Sequence, residues 1–160
     1  MSESNYHIAQ INIAQLRYPL DDPHTIDFVN NLDRINSLAE SYPGFIWRLK
    51  DDTGNATAIQ IFDDPLLIVN MSVWKSLGTL FDFTYRSDHI DVFRRSSEWF
   101  EKHKLDHLAL WWVQSGLIPS VDEGKKKLNY IKENGPSPYA FNFKKQFSIQ
   151  EFKIYNLNRY

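Results

Sequence analysis

Residues 106–114 read DHLALWWVQ, and both alternating sets of side chains in the strand they spell are apolar. His107, Ala109, Trp111 and Val113 fall on one side, with Leu108, Leu110, Trp112 and Gln114 on the other. A strand with one wet face alternates apolar with polar residues, so this one is expected to be covered on both faces. The segments around it decide which elements do the covering.

Toward the N-terminus, TYRSDHIDVFRRSSEWF (84–100) places His89, Phe93, Ser96 and Phe100 in one stripe at helical spacing, flanked by Val92 and Trp99. Asp91, Arg94, Arg95 and Glu98 fall on the far, solvent-facing side. The spacing predicts a helix over 88–102, entered through KSLGTLFDF (75–83) as the first half of a bent or two-part helical element. Before it, FIWRLK (45–50) sets Phe45, Trp47 and Leu49 against Ile46, Arg48 and Lys50. The turn-rich DDTGNAT (51–57) then returns the chain to AIQIF (58–62) and LLIVNMSVW (66–74), a return strand interrupted by Asp63-Asp64-Pro65. Phe28, Leu32, Ile35, Ala39 and Tyr42 mark an amphipathic helix that Pro43-Gly44 ends. HIAQINIAQL (7–16) is a first strand with Ala9, Ile11 and Ile13 opposite Gln10 and Asn12.

Toward the C-terminus, Ser120 and Glu123 make an S-x-x-E capping pattern that opens a helix running to Asn134. AFNFKKQF (140–147) alternates as a final strand, and 148–160 is an arm for the body or for a second subunit. The order is that of a ferredoxin-like β-α-β-β-α-β core, an α+β fold whose antiparallel sheet carries its helices on one face, plus a helix-strand extension. One domain over 1–160 is expected, with a core of about 7–147. The second sheet face is then free for another copy, which makes the chain an expected homodimer.

With 42% hydrophobic and 24% charged residues the chain belongs to the ordinary globular class. The 15% aromatic share exceeds what a small core needs and suits an apolar ligand pocket or a subunit interface. The absence of cysteine excludes a thiolate nucleophile and cysteine-ligated metals, and fits a cytoplasmic setting. A net charge of −2 gives no field for nucleic acid, and no apolar run approaches the ~20 residues of a membrane span. The run Lys125-Lys126-Lys127 reads as a solvated helix face.

GFIWRL (44–49), NMSVW (70–74), YRSDH (85–89), EWF (98–100), LWWV (110–113), GLIP (116–119) and GPSPYAF (135–141) together resemble an uncharacterised bacterial family of the dimeric α+β barrel superfamily, which includes the antibiotic-biosynthesis monooxygenases. The resemblance runs from about His7 to Phe147. It implies a homodimer with a ligand cavity between sheet and helices in each subunit. Chemistries of the superfamily range from cofactor-independent oxygenation of polycyclic aromatics through isomerisation and cyclisation to haem degradation, and some members have no known catalysis; the fold alone selects none of them.

Among the residues, His89 faces the sheet beside small Ser96, where an imidazole can act as acid or base, bind a ligand carbonyl, or ligate haem iron. In the haem-degrading relatives the axial histidine also comes from the helix after the third strand. The plainer alternative is a histidine satisfied by a backbone carbonyl or by Asn70. Asn70, a polar group in an apolar strand, and Tyr85 complete the expected catalytic set with His89. Arg48 can pair with a ligand oxygen, although a structural ion pair is the stronger expectation. Trp74, Phe93, Ser96, Trp99, Phe100, Trp111 and Trp112 are the expected ligand-contacting set. His103 and His107 straddle a helix end and a strand start, which spoils them as a metal pair. The leading expectation is a homodimeric enzyme, a cofactor-independent monooxygenase or an isomerase or cyclase, acting on a hydrophobic carbonyl or polyketide-like substrate. The alternatives are a haem protein and a non-catalytic ligand-binding or stress-associated dimer.

Overall fold

The structure, a computed structural model, describes residues 5–50, 63–102 and 107–159. Among the described residues four strands make one sheet: β1 (Tyr6–Gln15), β2 (Phe45–Arg48), β3 (Leu67–Trp74) and β4 (Leu108–Gln114). Their order is β2-β3-β1-β4, with every neighbouring pair antiparallel. This is the ferredoxin-like arrangement that the element order predicts. The helices are α1 (Ile26–Ser41), α2 (Leu77–Arg86), α3 (His89–Arg94), α4 (Ser96–Trp99), α5 (Val121–Asn134) and α6 (Ile149–Leu157).

Alternation in β1 works as expected. Ala9 and Ile11 enter a core with Met71, Val73, Ala109, Trp111, Leu128 and Ile131, beneath α5. Ile8 faces the opposite way, into a second core with Ala39, Trp74, Leu80, Phe83, Leu110, Trp112 and Phe141 beneath α1, α2 and α6. The helices of the ferredoxin-like core therefore share one sheet face, and the added helix α5 packs on the other. Its approach is close: a Cβ on Gly124 would lie 2.8 Å from Ile11 Cδ1 and 3.2 Å from Met71 Sδ. The face expected to await a second copy is thus covered largely from within the chain.

Three local expectations are revised. The alternation of 45–50 breaks at a register shift between Phe45 and Trp47, so Phe45 packs on Trp74 while Ile46, Trp47 and Leu49 pack toward the α5 side. Residues 140–147 do not run as a strand. Phe141 alone exchanges two backbone hydrogen bonds with Leu110, at 2.8 and 2.9 Å, and the Asn142 side chain then accepts from the Lys145 N–H to turn the chain. The alternation arose because Phe141, Phe143 and Phe147 all dip into the same core. The third revision concerns Lys127, which is 8% exposed rather than solvated. Its Nζ donates to the Tyr139 carbonyl at 3.2 Å and sits 3.3 Å from that residue's ring centroid. Lys127 falls on the α5 stripe that also carries Gly124, Leu128 and Ile131.

The expected return strand AIQIF (58–62) and His103 lie outside the described residues. Residues 149–157, expected as an arm, form α6, and Phe152 meets the Tyr6 ring edge-on at 5.8 Å. Among the described residues no helix is long and apolar enough to cross a membrane.

Candidate functional site

The bent or two-part helical element expected over 75–102 is three pieces, α2, α3 and α4, so the continuous helix expected over 88–102 is itself two. Ser87 is extended (φ −97°, ψ −178°) after α2, and its Oγ accepts the His89 N–H at 3.1 Å, starting α3 in a new direction. A second break at Arg95 separates α3 from α4. The predicted stripe is split by the second break, at Arg95. His89 turns toward the sheet, Phe93 is 49% exposed at the rim, and Trp99 and Phe100 pack instead on Phe28 of α1. Arg95, expected to face solvent, joins α4 to α1 through Asp27 at 2.9 Å while also pairing with Glu98 at 2.8 Å.

Beneath α2 and α3 lies a cavity of about 110 Å³, lined among others by Gln10, Asn12, Asn70, Ser72, Phe83, Tyr85, His89, Phe93, His107 and Phe143. All three residues expected to be catalytic, His89, Asn70 and Tyr85, meet here, together with Phe93. Its floor is the polar part of the sheet. The register sets Gln10 opposite Ser72 and Asn12 opposite Asn70, stacking four polar side chains on one face of β1 and β3. Gln10 Nε2 donates to Asn70 Oδ1 at 2.6 Å and to Ser72 Oγ at 2.8 Å, and Ser72 Oγ also accepts the Trp74 indole N–H at 2.8 Å. Aromatic walls come from Phe83, Tyr85, Phe93 and Phe143.

The orientation of His89 follows from its partner. Nδ1 lies 3.1 Å from the carbonyl of Thr84, which can only accept, so Nδ1 carries the proton and Nε2 holds the lone pair. Burial disfavours the cation and lowers the pKa below the usual histidine value, more than the Thr84 hydrogen bond raises it. Burial likewise raises the Tyr85 phenol, which stays protonated as a donor at neutral pH. A neutral base, a phenol and a network of amides in one cavity are suited to moving a proton beside a bound carbonyl.

The other expected ligand-contacting residues are not brought to this cavity. Trp74 lies behind it, stacked on Phe83 at 5.0 Å. Trp112 is in the core with its N–H on the Phe147 carbonyl at 2.9 Å, and Trp111 is on the opposite sheet face, bonded to Glu123 at 2.9 Å. Ser96 serves the turn, accepting the Phe100 N–H through its carbonyl at 2.8 Å. The Arg48 side chain, 10% exposed, pairs with Glu40 of α1 at 2.7 Å, the structural ion pair of the two readings. Residue periodicity missed Gln10, Ser72 and Phe143 as lining groups. The first two become a pair only through the β1–β3 register. His107, just ahead of β4, also lines the cavity instead of joining Trp111 on the far face.

Haem does not fit this site. Ligand pockets for drug-sized molecules run to roughly 300–1,000 Å³, and a cavity of about 110 Å³ has no room for a porphyrin beside His89. Among the described residues no group of three or more His, Cys, Asp or Glu could hold a metal ion. A larger groove of about 340 Å³ lies between α5 and α6, but it is open, and the Arg159 guanidinium already sits 5.7 and 5.5 Å from the Tyr139 and Tyr155 rings that line it.

The fold is similar to several solved structures at low identity. A conserved protein from Methanosarcina mazei Go1 has 19% identity and a TM-score of 0.48, covering 70% of this chain and 95% of that one. SnoaB, a cofactor-independent oxygenase from Streptomyces nogalater, has 10% identity and a TM-score of 0.43, covering 73% and 97%. A dabb family protein with a ferredoxin-like fold from Mesorhizobium loti has 12% identity and a TM-score of 0.41, covering 71% and 98%. No curated protein matches the sequence. A family model does match across residues 7–156, nearly the whole ferredoxin-like core and both added helices, and the chain belongs to that family, the domain of unknown function DUF3291.

Proposed function

We propose that the chain is a small-molecule enzyme that removes a proton from carbon next to a carbonyl, without a cofactor, in the cavity beneath α2 and α3. The observation that carries this reading is His89: its Nδ1–H is fixed on Thr84, leaving Nε2 as an unprotonated base in a cavity whose floor is built of amides. In the step envisaged, the C–H proton passes to Nε2 and the electron pair moves onto the carbonyl oxygen. That oxygen then accepts hydrogen bonds from the Asn70 amide and the Tyr85 phenol. Return of the proton to another carbon completes an isomerisation. Attack of the carbanion on a second carbonyl closes a ring, and its reaction with molecular oxygen gives an oxygenation. The volume favours a substrate, or a reacting end, of about one ring.

Deuterium exchange into the methyl ketone protons of acetophenone, followed by proton NMR in D2O, tests the step. Exchange above the buffer rate that disappears in His89→Ala supports it, and exchange unaffected by that substitution removes it. A ligand-binding module without turnover is the second reading, favoured by the small volume of the cavity. It is supported if acetophenone shifts the amide resonances of the cavity strands while no exchange occurs.

A homodimer remains part of the proposal, resting on half-buried Ile46, Trp47 and Leu49 beside α5. A single species at the chain mass of 18.9 kDa in sedimentation velocity at micromolar concentration overturns that part.

A further inference from the structure

The hydrogen bonds of the cavity floor leave two groups over. Gln10 spends its amide nitrogen on Asn70 and Ser72, and among the described residues no protein group bonds its Oε1. The residue is only 6% exposed. Asn70 uses its Oδ1 to accept from Gln10, which leaves its Nδ2 hydrogens without a protein partner among the described residues. When one amide donates to another, an acceptor remains on the first and a donor on the second. The floor therefore presents a buried acceptor beside a donor that reaches the cavity mouth.

A buried carbonyl oxygen without a partner is costly, and a ligand that supplies a donor relieves that cost. A ligand carrying only a carbonyl engages Asn70 and leaves Gln10 unsatisfied. We infer that Gln10 is a specificity-determining residue, and that the site takes hydroxy-carbonyl compounds whose hydroxyl donates to Gln10 Oε1 while their carbonyl accepts from Asn70 Nδ2. The hydroxyl has to be placed so that it does not close on its own carbonyl. This inference rests on the proposed function for the location of the site, and it adds the class of substrate.

A phenol and its methyl ether separate the possibilities: 3-hydroxyacetophenone and 3-methoxyacetophenone, with affinities from NMR titration of the intact chain. Wild-type protein is expected to prefer the phenol by at least about tenfold, since a site built to bond a hydroxyl rejects the analogue that lacks the donor. In Gln10→Met the preference falls to about one. In Asn70→Ala, a change at an exposed position, both ligands weaken together and the preference persists. A purely structural role for Gln10 would weaken both ligands equally, and that result overturns the inference, as does equal wild-type affinity or the binding of neither compound. If the preference holds but no deuterium exchange is seen, Gln10 selects the ligand and the catalytic proposal fails. Exchange without the preference has the opposite meaning.

Discussion

Nδ1 of His89 and the carbonyl of Thr84 lie 3.1 Å apart, joining the first residue of α3 to the last turn of α2 across the break at Ser87. That hydrogen bond sets the tautomer of the base and ties α3 to α2.

The titration of His89 follows from its burial. Its folded pKa lies below the ordinary value of 6.5, so the native state binds fewer protons than the unfolded chain between the two values. The stability contribution is full above about pH 6.5 and declines as pH falls toward the folded value. The His89 ring signals in a pH-dependent NMR series are expected to move at a lower pH than those of a model histidine, and exchange activity is expected to hold a plateau down through pH 6.5.

Lys127 gives a second pH signature on the opposite sheet face. Burial lowers its pKa to about 8, with Glu123 opposing and Arg159 adding to the shift. Between about 8 and the ordinary lysine value of 10.5 the native state again binds fewer protons, so stability rises with pH across that window and carries the full burial penalty below it. Lys127→Met removes the dependence and is expected to stabilise the chain at pH 7 by on the order of 1–2 kcal/mol, less than the shift alone implies because contacts with Tyr139 are lost. Urea unfolding at pH 7 and pH 9.5 measures both effects.

Gly124 is where α5 touches the sheet. A leucine there has to displace Ile11 and Met71, both fully buried, and is expected to cost about 3 kcal/mol or more in urea unfolding. The site lies on the other side of β1, so acetophenone exchange per folded molecule should survive.

Arg48→Ala separates the two readings of that arginine. Loss of its pair with half-exposed Glu40 is expected to lower stability by about 1 kcal/mol while leaving ligand affinity unchanged. A tenfold loss of affinity with unchanged stability would return Arg48 to the ligand.

The sheet was legible in the sequence because its period is two, and the one apolar face of 9–13 and the two apolar faces of 108–113 are long enough to show it. The bulge beside Ile46 was not, since one inserted residue leaves the composition of a short strand unchanged. The helix break at Arg95 was hidden for a related reason: residues 88–102 contain no proline or glycine and read as continuous helix, whereas the break at Ser87 falls where the two-part element over 75–83 and 88–102 bends. His89, Asn70 and Tyr85 could be singled out one at a time by their chemistry. Their polar companions Gln10 and Ser72 could not, because each is ordinary in its own strand and becomes a network only once β1 and β3 are aligned. Lys127 was misread as part of a charged run, although its two neighbours in that run differ from it in their place on the helix.

β1 serves two masters. Its odd residues hold α5 and its even residues hold Gln10 and Asn12 under the cavity, so a slip of one position against β3 would bury the amides beneath α5 and line the cavity with isoleucine. Misaligned chains would lose core and site together. The fold therefore proofreads its own chemistry, and a population that passes a stability test has already been sorted for an assembled site.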